Sequence, residues 1–289
     1  MKFWKSLQFT NTEDMLAIAS IADNDTRFHG VYLGDHWVAA HGSAGYPTTP
    51  DGRAPFPDST HWPHIGSMLG AILATTVRVH VSTSVMLLPL YNAFDVARMC
   101  GTLAVLSNNR LSLGVAPGWS RDDYSAVGVP FTDRGRRMDE SLDVVRALLA
   151  GGEVEHHGEF YDFEPLEIQP RPDRPVPMLT GGFTDRALRR AVEKADGWVG
   201  APLDPSQLTD NISKLTAMLS DAGRARESFE IRVPFRGDDI DYLRRLEELG
   251  VDSILCTPPA DHFAKPQPRQ KKIDEMFRMN EVVCKFLEH

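Results

Sequence analysis

The chain has 289 residues, 42% hydrophobic and 25% charged, which is enough to bury a sizeable core with no compositional push toward disorder. A net charge of −9, with 31 Lys and Arg scattered among 40 acids, argues against a nucleic-acid partner, because backbone binding needs a clustered basic surface. No apolar run approaches the roughly 20 residues that span a bilayer, and Phe3 to Phe9 is strand-like with no signal-peptide core, so no membrane partner and a cytoplasmic location are expected.

Lys2 to Phe9 is the first expected strand, and Asn11 or Thr12 caps a helix with Met15, Ile18 and Ala22 on one face. Gly30-Val31-Tyr32-Leu33-Gly34-Asp35-His36-Trp37 reads as a short buried strand that stops at two polar residues. Alternation groups Tyr32, Gly34 and His36 on one face, so His36 stands beside a glycine that leaves room next to it. From Val38 to Pro63 the chain is rich in Gly, Pro, Ser and Thr, and a loop of that length after His36 is expected to close over a site.

A helix over about Trp62 to Ala74 leads to a regular alternation from Val77 to Val85. Val77, Val79 and Val81 are expected to face outward, while His80, Ser82 and Ser84 line a polar interior that suggests a ligand. A helix over Asn92 to Leu106 follows, then a strand with Leu111, Leu113 and Val115 outward and Ser112, Gly114 and Ala116 inward. After Pro117-Gly118-Trp119, the spacing predicts a helix over Asp133 to Leu149, ended by Gly151-Gly152. Glu153 to Ile168 reads as a small hairpin turning near His157-Gly158, within an excursion over about 151–175.

Strands are then expected at Pro177 to Gly181, Gly197 to Gly200, Phe229 to Val233 with Glu230 and Arg232 inward, and Val251 to Cys256, each followed by a helix. Eight strands alternating with helices point to an α/β fold, a (β/α)8 TIM barrel over 1–289 with a long loop after strand 2 and a small hairpin insertion after helix 4. Cys100, Cys256 and Cys284 are odd in number and widely spaced, which favours buried free thiols over a disulfide framework or a zinc site. Leu287-Glu288-His289 can be read as the start of a vector-encoded tag and carries no weight.

Three constellations bear on chemistry. An isolated Asp35-His36 pair is ordinarily a turn, but barrel sites collect at strand C-termini, where a histidine exchanges protons near neutral pH. Gly181-Gly182-Phe183-Thr184 lies between a strand and a helix N-terminus, where backbone N–H groups hold a phosphate or simply make a turn. In Ala116-Pro117-Gly118-Trp119, Trp119 is either a ring wall or a core anchor. His61 and His64, and the adjacent His156 and His157, lack converging partners, so no metal site is expected.

Taken in order, Gly30 to His36, Thr83 to Pro89, Leu106-Ser107 through Arg110 to Val115, Gly118-Trp119, Gly128 to Phe131 with Arg134-Gly135, Asp139-Glu140, Gly181-Gly182 and Asp196-Gly197-Trp198 resemble the bacterial luciferase-like monooxygenase superfamily, in its F420-dependent oxidoreductase branch. The resemblance implies a deazaflavin, coenzyme F420, or alternatively FMN, lying across the strand ends. It implies cofactor contacts from Asp35, His36, Thr83, Ser84, Val85, Ala116, Pro117, Gly118, Gly181, Gly182, Phe183 and Thr184, with a non-prolyl cis peptide at Ser84-Val85. His36 becomes the proton-transfer residue beside the ring, Trp37 or Trp119 a wall for a small-molecule substrate, and the assembly a homodimer. Two departures stand out. Asn108-Asn109 replace the family's usual glycine pair, and Pro117 removes a backbone donor next to the ring. The strand-four arginine that holds FMN phosphate in luciferase-type members has no evident counterpart, which favours F420, although Arg121 is near. An FMN-dependent monooxygenase or reductase, or a barrel that binds cofactor without turnover, are the alternatives.

Overall fold

The computed structural model describes residues 1–38, 45–258 and 267–288. In chain order the elements are β1 (Lys2–Ser6), α1 (Thr12–Asp23), β2 (Gly30–Leu33), α2 (Ile65–Thr75), β3 (His80–Thr83), α3 (Ala93–Leu106), β4 (Leu111–Val115), α4 (Arg121–Ala126) and α5 (Arg134–Ala150). They continue with β5 (Val154–His157), β6 (Asp162–Leu166), β7 (Met178–Gly181), α6 (Asp185–Lys194), β8 (Gly197–Val199), α7 (Pro205–Asp221), β9 (Glu230–Phe235), α8 (Ile240–Glu248), β10 (Ser253–Cys256) and α9 (Arg269–Leu287). Eight of the described strands close in the order β1-β10-β9-β8-β7-β4-β3-β2, all parallel, with helices on the outside: a (β/α)8 barrel. β5 and β6 form a separate antiparallel hairpin between β4 and β7, as expected.

The period-2 pattern explains the layering. Val31, Leu33, Val81, Leu111, Leu113, Val115, Ile231, Val233 and Ile254 belong to one large core between strands and helices. The opposite parity fills the barrel with Trp4, Tyr32, Leu179, Val199 and Leu255, against which Val85 packs. Local chemistry ends the helices where it can. Asn11 caps α1 and Asn92 caps α3 through their side-chain oxygens. Asn108 and Asn109 take φ of 53° and 59° where the helix α3 turns into β4, the left-handed geometry that a glycine pair would otherwise supply.

Several expectations change. Val77 is 87% exposed and precedes β3, which begins only at His80. α2 starts at Ile65, because the His64 side chain caps it by accepting from the Ser67 N–H. α4 had no periodic signal, since six residues are too few to show one. The polar lining of β3 is also spent inside the protein. Ser82 accepts from buried Arg232, which donates to Glu230 and lies 4.0 Å over the Trp4 ring. His80 stacks on His29 with ring centroids 4.4 Å apart. Of the three expected interior residues, Ser84 is the one that reaches the strand-end cavity.

This stacked pair sets an acid sensitivity. Burial first, then the neighbouring His80 and Lys2, lowers the His29 pKa from 6.5 to about 4, and burial lowers His80 in the same direction. The unfolded chain therefore binds more protons in this window, so stability falls as pH drops from 6.5 toward about 4. Urea unfolding across that range should show the slope, and His29→Gln should flatten it; an unchanged slope in the variant would exclude His29 as the cause.

Candidate active site

A large cavity of about 920 Å³ opens at the C-terminal ends of the barrel strands, within the range of cofactor and substrate sites. Its floor carries Val85, Ala116 and Gly181, all small at this point. A Cβ on Gly181 would stand 3.3 Å from Val85 Cγ1 and 3.5 Å from the Ala116 Cβ, so the glycine keeps a side chain out of this wall. The Ser84-Val85 peptide is cis, as the resemblance implied. The space beside Gly34, expected to lie next to a ligand, is filled from within: Gln8 Nε2 donates to the Ser84 carbonyl at 2.9 Å, and any Cβ on Gly34 would collide with that amide.

His36 leaves β2 pointing into this cavity, with its side chain 12% exposed. Its Nδ1 lies 2.9 Å from Asp123 Oδ2, and the other Asp123 oxygen accepts the backbone N–H groups of Trp37 and Val38, each at 3.0 Å. Asp123 is fully buried on α4, whose N-cap Ser120 accepts the Asp123 N–H. The carboxylate thus orients the imidazole and leaves Nε2 to the cavity, the arrangement that suits a proton donor or acceptor. The His36 ring is bordered by Trp62, Trp119 and Phe56, at centroid distances of 5.0, 5.6 and 5.7 Å.

Asp35 has a different task. Its carboxylate accepts from the Leu87 N–H at 3.1 Å and the Tyr91 hydroxyl at 2.9 Å, tying the end of β2 to the segment after β3. Burial raises the pKa of both Asp35 and Tyr91, and the neighbouring Asp35 raises Tyr91 further.

On another side of the mouth, Gly181-Gly182-Phe183-Thr184 joins β7 to α6. Gly182 has φ +124°, its carbonyl accepts from Trp198 Nε1 at 2.6 Å, and Thr184 caps α6 through the Ala187 N–H. Arg121 and Arg134 stack on Phe131 at 4.5 and 3.8 Å, and Arg186 and Arg190 share Asp139 behind the turn. All four arginines line the cavity, so this end presents helix amides and cations to an anion.

A family model described as luciferase-like monooxygenase matches residues 8–236. The chain belongs to this family. A Mycobacterium tuberculosis protein, Rv0940c, is 38% identical over 240 residues, 81% of this chain and 83% of its own length. The structure of the monooxygenase RslO1 from Streptomyces bottropensis superposes with a TM-score of 0.77 at 19% identity, covering 99% of both chains. An F420-dependent secondary alcohol dehydrogenase bound to an F420-acetone adduct gives a TM-score of 0.69 at 19% identity, over 98% of this chain and 83% of that one. Solved relatives of this fold thus include proteins with F420 and with FMN.

For a luciferase-like barrel the residues present suit a flavin-type group. The wall of Val85, Ala116 and Gly181 would leave room for a planar ring, and the Gly181–Thr184 turn with its arginines would suit a phosphate. Of the residues expected at the site, Asp35, His36, Ser84, Val85, Ala116, Pro117, Gly118, Trp119, Gly181, Gly182, Phe183 and Thr184 line this one cavity. Two do not. Thr83 has the outward parity of Val81, is fully buried and donates to the Gly114 carbonyl. Trp37, expected as a substrate wall, is 41% exposed and packs edge-on against Tyr91 at 5.0 Å, because the two amide bonds to Asp123 turn the chain there. Part of the long loop, residues 39–44, lies outside the described residues, as does His289, while Tyr46 and Phe56 from the same loop do line the cavity.

Asp123 and the rings of Phe9, Tyr46, Phe56 and Trp62 were not singled out by sequence. The available signal was Ser120-x-x-Asp123, a capping pattern at the start of a helix too short to register otherwise. The histidines weighed as ligands have other tasks: His61 contacts Thr12, His156 contacts Glu140 and His157 contacts Asp162.

Proposed function

We propose that the protein is an oxidoreductase that passes a hydride between coenzyme F420 and a small organic substrate at the C-terminal face of the barrel. The observation that carries this reading is the His36–Asp123 pair, a ring nitrogen held 2.9 Å from a fully buried carboxylate with Nε2 left to the cavity. Such a pair supplies or removes the proton that accompanies hydride transfer. Bound F420 would supply a two-electron hydride couple at a ring carbon, where a flavin has the nitrogen that also allows one-electron chemistry with oxygen.

The choice of F420 over FMN is supported by charge. FMN ends in one phosphate, which the turn before α6 can hold with its amides. Arg121, Arg134, Arg186 and Arg190 exceed that need even with Asp139 shared between two of them, and F420 carries carboxylates beyond its phosphodiester. The same reading takes the protein as a cytoplasmic homodimer.

Parallel titration of the purified protein with F420 and FMN, followed by tryptophan quenching, tests the choice. Saturable F420 binding at least about tenfold tighter than FMN binding is expected. Saturation by FMN alone would replace this reading with an FMN-dependent monooxygenase or reductase.

A further inference from the structure

We infer that the half of the cavity around His36 takes a flat, uncharged ring compound, an aryl or bicyclic ketone or the corresponding alcohol, in preference to a sugar phosphate or other polar metabolite. This names the substrate class for the site proposed above and rests on that reading for the role of His36.

Five aromatic side chains converge on His36 from separate parts of the chain: Phe9 after β1, Tyr46, Phe56 and Trp62 from the segment after β2, and Trp119 after β4. They contact one another at angles that leave no two rings in parallel stacks. Phe56 meets Trp62 at 5.4 Å and 73°, Phe9 meets Trp62 at 5.7 Å and 70°, and Tyr46 meets Trp119 at 5.1 Å and 77°. All five line the cavity. None of the five belongs to the buried hydrophobic clusters, so each keeps part of its surface uncovered in the open site. Apolar surface left open in a concave site is covered favourably by a ligand of matching shape, and aromatic edges and faces favour a second ring.

Several polar groups nearby are already committed. Gln8 donates to the Ser84 carbonyl, and Asp35 accepts from Leu87 and Tyr91. Asp123 is buried behind His36 and holds two backbone amides, and Arg236 is engaged within the protein. His36, bound to Asp123 through Nδ1, has its second ring nitrogen to offer, suited to one oxygen on an otherwise apolar ring. A sugar phosphate would need partners for several hydroxyls and a cation beside them. Arg121 and Arg134 are stacked on Phe131, and Arg186 and Arg190 follow β7, three strands around the barrel from β2.

Calorimetric titration with 1-tetralone and with glucose 6-phosphate, on the protein alone and on F420-saturated protein, tests the inference. In at least one state 1-tetralone should bind at least about tenfold tighter than glucose 6-phosphate. Trp62→Ala and Phe56→Ala should each weaken 1-tetralone about tenfold while Trp62→Phe stays within about threefold of the parent, and F420 affinity should be unchanged in all three. Comparable binding of glucose 6-phosphate, absence of 1-tetralone binding in both states, or indifference to the substitutions would each overturn it. Binding of 1-tetralone by a protein that does not bind F420 would sink the F420 reading and leave this one standing.

Discussion

Replacing His36 by Ala is expected to lower turnover by about two to four orders of magnitude, the range that positioned acid–base groups contribute. F420 affinity should change by less than about threefold, because the turn and arginines proposed to hold its anionic groups lie on other elements. Stopped-flow reduction or oxidation of the bound coenzyme, alongside equilibrium titration, separates the two effects. Turnover that survives the substitution would remove His36 from proton transfer. The ring stands among Phe56, Trp62 and Trp119, so the Ala variant also opens a gap, and His36→Gln serves as the control that keeps the volume.

The second large effect belongs to Asp123, which does two things with two oxygens. One orients the His36 ring, and the other accepts the N–H groups of Trp37 and Val38 where the chain enters the long loop. Asp123→Asn keeps an oxygen for the two amides but offers the ring a neutral group, which reverses the preferred tautomer. Turnover should fall by about a hundredfold with melting temperature near that of the parent. Asp123→Ala removes both roles, and leaving amide donors without their acceptor should cost a further ~1–3 kcal/mol of stability. Equal thermal stability of the Asn and Ala variants would show that the loop does not depend on this carboxylate. Equal turnover of Asn and parent would show that the ring does not need it.

These roles also mark where residue order stops being informative. Alternation at Val31 to Leu33, Val79 to Val81 and Leu111 to Val115 reports which face meets the helices, because in a parallel barrel that face is always buried and apolar. The inward face carries a weaker signal. Ser82 and Ser84 share parity, yet Ser82 serves Arg232 while Ser84 reaches the cavity, and the difference is their height in the barrel. Trp37 and Trp119 were equal candidates for a substrate wall on composition, and two hydrogen bonds to Asp123 turn one of them out to Tyr91.

From the sequence alone follow the eight-stranded α/β barrel, the hairpin between its fourth and fifth strands, His36 at a strand end, and the Gly181–Thr184 turn before a helix. All are local in origin: periodicity, capping residues and glycine or asparagine at left-handed positions act within a few residues of chain. The pairing of His36 with Asp123 spans 87 residues, and the ring wall gathers Phe9, Tyr46, Phe56, Trp62 and Trp119 from three strand ends. Closure of the barrel brings those ends together, and no local pattern encodes which side chains then meet. Only the tertiary structure could therefore pair His36 with its carboxylate and show an aromatic chamber around it.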